Sequence, residues 1–225
     1  KDEYKSFSKN QKEFNISDPV SIGKGSYGEV LSYDNQKSVV KISKKNIKEL
    51  EIPEDVIREI SIYRLLKEVS CIPKLQGFQI YPSIEIQLEK GIKTLQNLLL
   101  GKEEIKEDIK KRIMLRLAKC LLLSSSQGII HCDLKPENMI ITESDKVQII
   151  DWGLAEIDYS LKGSEPKSLN KQTLAWSSPE ILAENKFYNY KIDIFSLGLI
   201  FIQIFTQNPM PLCKGFNKSN HIDLL

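Results

Sequence analysis

The feature that most constrains this chain is a change of hydrophobic period part-way along it. Up to residue 89 the apolar residues fall in short runs bounded by turn residues, interrupted by one helical stretch. Beyond Gly91 most of them recur at helical spacing. Val20 to Ser26 and Glu29 to Tyr33 read as strands flanking a glycine-rich turn. Lys37 to Ser43, with Val39, Val40 and Ile42, reads as a third strand, and Asp34-Asn35-Gln36 suits the hairpin between the last two. From Glu54 to Val69, residues Val56, Ile57, Ile60, Tyr63, Leu65 and Leu66 lie near i, i+3, i+4 spacing, which predicts an amphipathic helix with Pro53 at its start. Phe78 to Tyr81 and Ile84 to Leu88 complete a set of five strands. Leu95 to Leu100 reads as a short apolar turn, Ile109 to Ser126 as a long helix, and Met139 to Thr142 with Val147 to Ile150 as a small hairpin. Ile192 to Phe205, apolar on almost all faces, reads as a buried helix. This order predicts an α+β, two-lobed fold. Residues 1–14 are an extension, 15–89 a small β-rich lobe of five strands and one helix, and 90–225 a helical lobe, with a hinge near Glu89 to Gly91.

Composition narrows the function. The chain has 225 residues, 41% hydrophobic and 28% charged, which excludes a disordered, collagenous or small disulfide-scaffold protein. Its formal charge of +2 creates no strong global field, so neither nucleic acid nor an anionic membrane is expected as a partner. Lys1 to Asn15 contains no apolar signal core, and Ile194 to Phe205 is too short to span a bilayer core of ~30 Å. The four cysteines are widely separated and form no C-x-x-C pair. Reduced thiols and a cytoplasmic or nuclear location are the expectation.

Four motifs carry chemistry. Gly23-Lys24-Gly25-Ser26-Tyr27-Gly28 is a G-x-G-x-x-G run, whose glycines let a backbone turn approach a phosphate. A dinucleotide fingerprint opens a helix after its last glycine. Here strand-like residues follow, so the alternatives are a lid over phosphates or a flexible hairpin. Lys41 lies thirteen residues beyond Gly28 on the third strand. It is either a solvated surface group or one half of a pair with Glu59, which sits among apolar neighbours on the next helix. His131-Cys132-Asp133-Leu134-Lys135-Pro136-Glu137-Asn138 sets three polar functional groups within six residues. The carboxylate suits accepting a hydroxyl proton, the amide oxygen suits a metal, and the lysine suits neutralising a transferring phosphoryl group. Asp151-Trp152-Gly153 follows an apolar strand and suits a Mg²⁺ ligand or an ordinary turn.

Taken in order, these motifs resemble the eukaryotic protein kinase family, serine/threonine type, from about Phe14 onward. The resemblance implies a two-lobed kinase fold, ATP and Mg²⁺ as cofactors, and a protein substrate bearing serine or threonine. Ile22, Gly23, Gly25 and Gly28 would form the loop over the phosphates, and Lys41 and Glu59 the ion pair that positions the nucleotide. Asp133 would be the catalytic aspartate, Asn138 and Asp151 the metal ligands, and Lys135 and Thr173 its neighbours in the serine/threonine class. Leu88, Glu89 and Gly91 would line the hinge, with Val30, Val39 and Ile140 around the adenine. Ser178-Pro179-Glu180 resembles the end of the activation segment. Asp193 to Gly198 resembles the buried helix that anchors the catalytic loop.

The chain departs from the family in three places. Cys132 stands where an arginine usually receives a loop phosphate, so activity is expected not to depend on a phosphate there. Trp152 replaces the commoner phenylalanine, and its indole N–H requires a partner if buried. The helical lobe is expected to be incomplete, because family members continue with further helices. The alternative readings are a pseudokinase acting as a regulatory or scaffold module, and a small-molecule kinase. The second is disfavoured by Lys135-Pro136-Glu137 and the Thr173 to Glu180 segment.

Overall fold

In a computed structural model, the residues described are 19–24, 28–33, 37–43, 52–80, 83–143, 146–157, 173–183 and 188–210. Gly25, the Asp34-Asn35-Gln36 stretch expected to be a turn, and the polar, Ser- and Lys-rich residues 158–172, whose composition predicts a loop, lie outside them. The chain divides into two compact units. Residues 1–68 and 73–90 form the first, residues 69–72 and 91–225 the second. The first unit therefore closes at Lys90, and Val69 to Ile72 belongs to the second.

The first unit is built on a five-stranded sheet. Its strands are β1 (Val20–Lys24), β2 (Gly28–Ser32), β3 (Ser38–Ser43), β4 (Leu75–Gln79) and β5 (Glu85–Glu89), in the spatial order β1-β2-β3-β5-β4 with every neighbour antiparallel. Alternation decides which residues enter the core. In β5, Ile86 and Leu88 are buried while Glu85, Gln87 and Glu89 are half-exposed. Gly28 is needed for packing as well as any ligand contact, since a Cβ there would overlap the carbonyl oxygen of Ile42 on β3.

Helix α1 (Glu54–Leu65) packs on β4 and buries Val56, Glu59, Ile60, Ile62 and Tyr63. Glu54 and Asp55 in its first turn complement the positive end of the helix dipole. The helix ends four residues earlier than its periodicity predicts, because Val69 to Ile72 joins the second unit.

The second unit contains β6 (Lys93–Thr94), α2 (Leu95–Leu100), α3 (Glu107–Ser126), β7 (Ile129–Ile130), β8 (Met139–Ile141), β9 (Val147–Ile149), β10 (Glu156–Ile157), α4 (Pro179–Leu182) and α5 (Lys191–Thr206). Strands β6-β8-β9 form one small sheet and β10-β7 another. The expected turn at Leu95 to Leu100 is a helix. Thr94 accepts the Asn97 N–H at its N-terminus, and Leu95 and Leu99 stack one turn apart into the core. Helix α5 packs against α3, but it is buried on one side only. Ile194, Ile202 and Phe205 are 49%, 45% and 66% exposed, against the all-round burial its composition predicts. Among the described residues no helix is long and apolar enough to cross a membrane.

The cysteines depart from the expectation of reduced thiols. Cys71 and Cys120 are joined by a disulfide with their Cα atoms 5.8 Å apart, and Cys132 is free and buried. Val69 to Ile72 brings Cys71 onto α3, where Cys120 is fully buried. The carbonyl of Cys71 also accepts the Ile149 N–H of β9 at 2.9 Å. A pairing 49 residues apart leaves no local mark in the sequence. Alkylation of the denatured, unreduced protein followed by peptide mapping should leave Cys71 and Cys120 unlabelled until reductant is added. Labelling of either before reduction contradicts the pairing.

Candidate active site

Within the first unit the sheet register brings several of the singled-out residues to one face. Lys41 on β3 is directly opposite Val30 on β2, and Val39 is directly opposite Leu88 on β5. Paired residues share a face, as do residues two apart, so Val30, Val39, Lys41 and Leu88 stand together, and buried Val40 faces the other way. Glu59 reaches this face from α1. Lys41 Nζ donates to both of its carboxylate oxygens, at 2.9 and 2.8 Å. Glu59 is buried and Lys41 nearly so. Losing the ammonium would leave a desolvated carboxylate, so each charge holds the other in place. Ile22 and Gly23 lie on β1, and Ile22 is exposed. Glu89 ends β5, giving its N–H to the Lys74 carbonyl.

The second unit holds the remainder. Gly91 lies so close to β8 that a Cβ would come within 2.8 Å of the Ile140 side chain. The chain from His131 to Asn138 is held by backbone bonds to a buried carboxylate on α5. Asp193 accepts the His131 N–H at 2.6 Å and the Cys132 N–H at 3.0 Å. Burial pushes the Asp193 carboxyl above its ordinary pKa, while the N–H bonds from His131 and Cys132 pull it back. Cys132 sits in the left-handed region at φ 67°, unusual for a residue with a side chain. That conformation turns the chain so that Asp133 and Cys132 serve different networks.

His131, wholly buried, fixes the turn from inside. Its Nδ1 accepts the Asp133 N–H at 3.2 Å, so the proton lies on Nε2, which donates to the Ile150 carbonyl at 3.0 Å. Its ring packs on Trp152 with centroids 4.5 Å apart, and the Trp152 indole N–H finds its partner in the Ile149 carbonyl at 3.2 Å. His131 thus links the Asp133 segment to the strand that leads into Asp151.

Asp133 is the hub. Its Oδ2 accepts from Lys135 Nζ at 2.7 Å and from Asn138 Nδ2 at 3.2 Å. Its Oδ1 accepts the Thr173 hydroxyl at 2.7 Å and the Thr173 N–H at 3.1 Å. Lys135 Nζ also donates to Thr173 Oγ1 at 2.7 Å, closing a ring of three side chains. Pro136, at the start of a single 3₁₀ turn from Pro136 to Asn138, directs Asn138 back toward Asp133. With its Nδ2 also on the Asp133 carbonyl at 2.9 Å, Asn138 has its oxygen as the remaining functional end. The Asn138 carbonyl accepts the Ile150 N–H at 2.9 Å, which brings the residue before Asp151 against Asn138. Asp151 itself adopts the left-handed conformation at φ 66°.

Lys41 and Glu59 come together in one unit, and Asp133, Lys135, Asn138 and Thr173 in the other. Two contributors escaped the motif analysis. The role of His131 is hidden because its partners are backbone groups on other segments. Tyr188 packs with Cys132 from a stretch without a motif. The signal for Asp193 is a charge at the start of an apolar helix.

Comparison with known proteins agrees with this geometry. The protein kinase domain family matches residues 17–223. The chain is 32% identical over 202 residues to the serine/threonine-protein kinase KIC1 of Saccharomyces cerevisiae, covering 85% of this chain and 18% of that one. It is 26% identical over 186 residues to CBL-interacting serine/threonine-protein kinase 15 of Arabidopsis thaliana, covering 80% and 44%. A probable cell division protein kinase of Encephalitozoon cuniculi is 29% identical over 217 residues, covering 91% and 76%. The chain thus spans less than half the length of the first two relatives. A sheet with a helix packed on it among the described residues of the first unit, a largely helical second unit and a family match over nearly the whole sequence lead to one conclusion: this chain belongs to the protein kinase domain family.

Proposed function

We propose that the chain is an active serine/threonine protein kinase that transfers the γ-phosphoryl group of ATP to a protein hydroxyl. One observation carries this reading, the ring in which Lys135, Thr173 and Asn138 all bond the Asp133 carboxylate. A scaffold module has no need of three polar side chains held around a buried carboxylate. A transferase needs that preorganisation, since each group must already be in place when charge develops.

The roles follow from the chemistry of each group. Asp133 orients the substrate hydroxyl and accepts its proton. Thr173, bonded to both Asp133 and Lys135, sets the direction of each. Lys135 offsets charge on the transferring group. Lys41, steadied by Glu59, would hold the nucleotide phosphates, and Ile22, Gly23 and Gly28 of the same unit are assigned to the loop over them together with Gly25, which lies outside the described residues. In the first unit Val30, Val39, Leu88 and Glu89, and in the second Gly91 and Ile140, are the residues this reading assigns to the adenine. Asn138 and Asp151 fit a hard divalent cation, because both offer oxygen and the Asn138 nitrogen is already committed to Asp133. Mg²⁺ bound there would neutralise phosphate charge.

The reading is tested by transfer of labelled γ-phosphate to a mixed peptide library. Asp133→Asn should lower kcat by about 10²- to 10⁴-fold with nucleotide affinity nearly unchanged. Asp151→Asn should abolish transfer and weaken Mg²⁺-dependent nucleotide binding. Unchanged transfer in Asp133→Asn, or no transfer by the unaltered protein, would reject the proposal. Thr173→Val removes the hydroxyl that donates to Asp133 and accepts from Lys135, and should cut kcat by at least about tenfold. Steady-state kinetics showing wild-type kcat would remove Thr173 from the mechanism.

A further inference from the structure

Helix α5 buries its polar side chains along with part of its apolar face. Between Ile192 and Phe205 the polar residues are Asp193, Ser196 and Gln203. All three are buried, Gln203 completely, while Ile194, Ile202 and Phe205 on the same helix are exposed. A buried polar group is costly unless it is hydrogen-bonded, so each of the three needs a partner. Asp193 has the backbone of the Asp133 segment. The other two both hold Trp176. Gln203 Oε1 accepts the Trp176 indole N–H at 2.9 Å, and Ser196 Oγ donates to the Trp176 carbonyl at 2.7 Å. Ser196 and Gln203 are seven residues apart, about two helical turns, so they lie on one face of the helix.

The bond between Gln203 and Trp176 fixes which end of the amide is used. An indole N–H only donates, so Gln203 must present its oxygen. Its Nε2 is then buried with no hydrogen-bond partner among the described residues. A methionine of similar volume would avoid that cost. What it would lack is an acceptor for the indole.

Trp176 leads directly to the ring around Asp133. It ends the 3₁₀ turn Leu174–Trp176, and its backbone N–H bonds the Thr173 carbonyl at 3.1 Å. Thr173 in turn places its own N–H and its hydroxyl on Asp133 Oδ1. One helix therefore holds both sides of that contact, Asp133 through Asp193 and Thr173 through Trp176.

We propose that Gln203 is a positioning residue: by holding the Trp176 indole on the helix that also carries Asp193, it sets Thr173 against the Asp133 carboxylate. The effect on transfer rests on the kinase reading above; the anchoring of Trp176 does not.

Two measurements keep these apart. The first is the indole N–H signals in a proton–nitrogen NMR spectrum, which need no activity. The chain has two tryptophans, and Trp152, bonded to the Ile149 carbonyl, is the internal control. Gln203→Met should shift the Trp176 signal and speed its exchange with water, and leave the Trp152 signal in place. The second is steady-state transfer to peptide by the unaltered chain, Gln203→Met, Thr173→Val and the double variant. Gln203→Met should lower kcat about tenfold with little change in nucleotide KM. Added to Thr173→Val it should cost nothing further, because both act through one group. A substitution that only loosened the fold would lose the same fraction in both backgrounds. An unmoved Trp176 signal, wild-type kcat in Gln203→Met, or a repeat of its full loss on top of Thr173→Val would each overturn the proposal. If the unaltered chain transfers nothing, the kinase reading falls and the indole signals alone decide the anchoring. If Gln203→Met does not fold, Trp176→Phe, which removes the donor and leaves Gln203 in place, replaces it in the kinetic cycle under the same outcomes. Exchange of the Trp176 indole in the unaltered protein then decides the anchoring, slow exchange supporting it and rapid exchange overturning it.

Discussion

The carboxylate of Asp193 accepts the backbone N–H groups of His131 and Cys132 at 2.6 and 3.0 Å, and these two bonds hold the chain where it would not otherwise stay. A non-glycine residue in the left-handed region costs about 1–2 kcal/mol. Each hydrogen bond to a buried charge is worth about 1.5–3 kcal/mol, so the pair outweighs the strain. The gain in geometry is specific. Because Cys132 is at φ 67°, its side chain enters an apolar cluster while the next residue, Asp133, joins a polar ring.

From that turn, order spreads outward through groups with few alternatives. His131 has both ring nitrogens engaged and Trp152 against its face, which ties the Asp133 segment to the strand leading to Asp151. Thr173, forty residues on from Asp133, contributes both its N–H and its hydroxyl. In the first unit the same logic operates on a smaller scale. A buried carboxylate, Glu59, and a lysine from a neighbouring strand hold each other in a two-pronged ion pair. In each case a charge is kept away from water only because its partners are already in position.

Local chemistry made much of this legible in advance. Asp133, Lys135 and Asn138 lie within one eight-residue segment, so their convergence needs only a tight turn, and Pro136 starts it. The sheet and the long helices follow from periodicity, which depends on near neighbours. Features set by distant partners were not legible. The disulfide links residues 49 apart, and the bond from the His131 N–H to Asp193 spans 62. Tyr188 carries no motif at all. The turn expected at Leu95 to Leu100 was misread because six residues are too few for a helical period. The usable signal was Thr94 as its cap. Gly28 belongs to a ligand-type motif, yet the overlap with the Ile42 carbonyl gives it a packing reason the motif conceals.

The central claim is that Asn138 and Asp151 present oxygen to one cation while Asp133, held in its ring of side chains, takes no part in coordinating it. A crystal structure with a non-hydrolysable ATP analogue and Mg²⁺ tests it directly. The account predicts an ion about 2.0–2.1 Å from both Asn138 Oδ1 and a carboxylate oxygen of Asp151, with Asp133 outside its coordination sphere. An ion that contacts neither residue, or one ligated by Asp133 in their place, would contradict it.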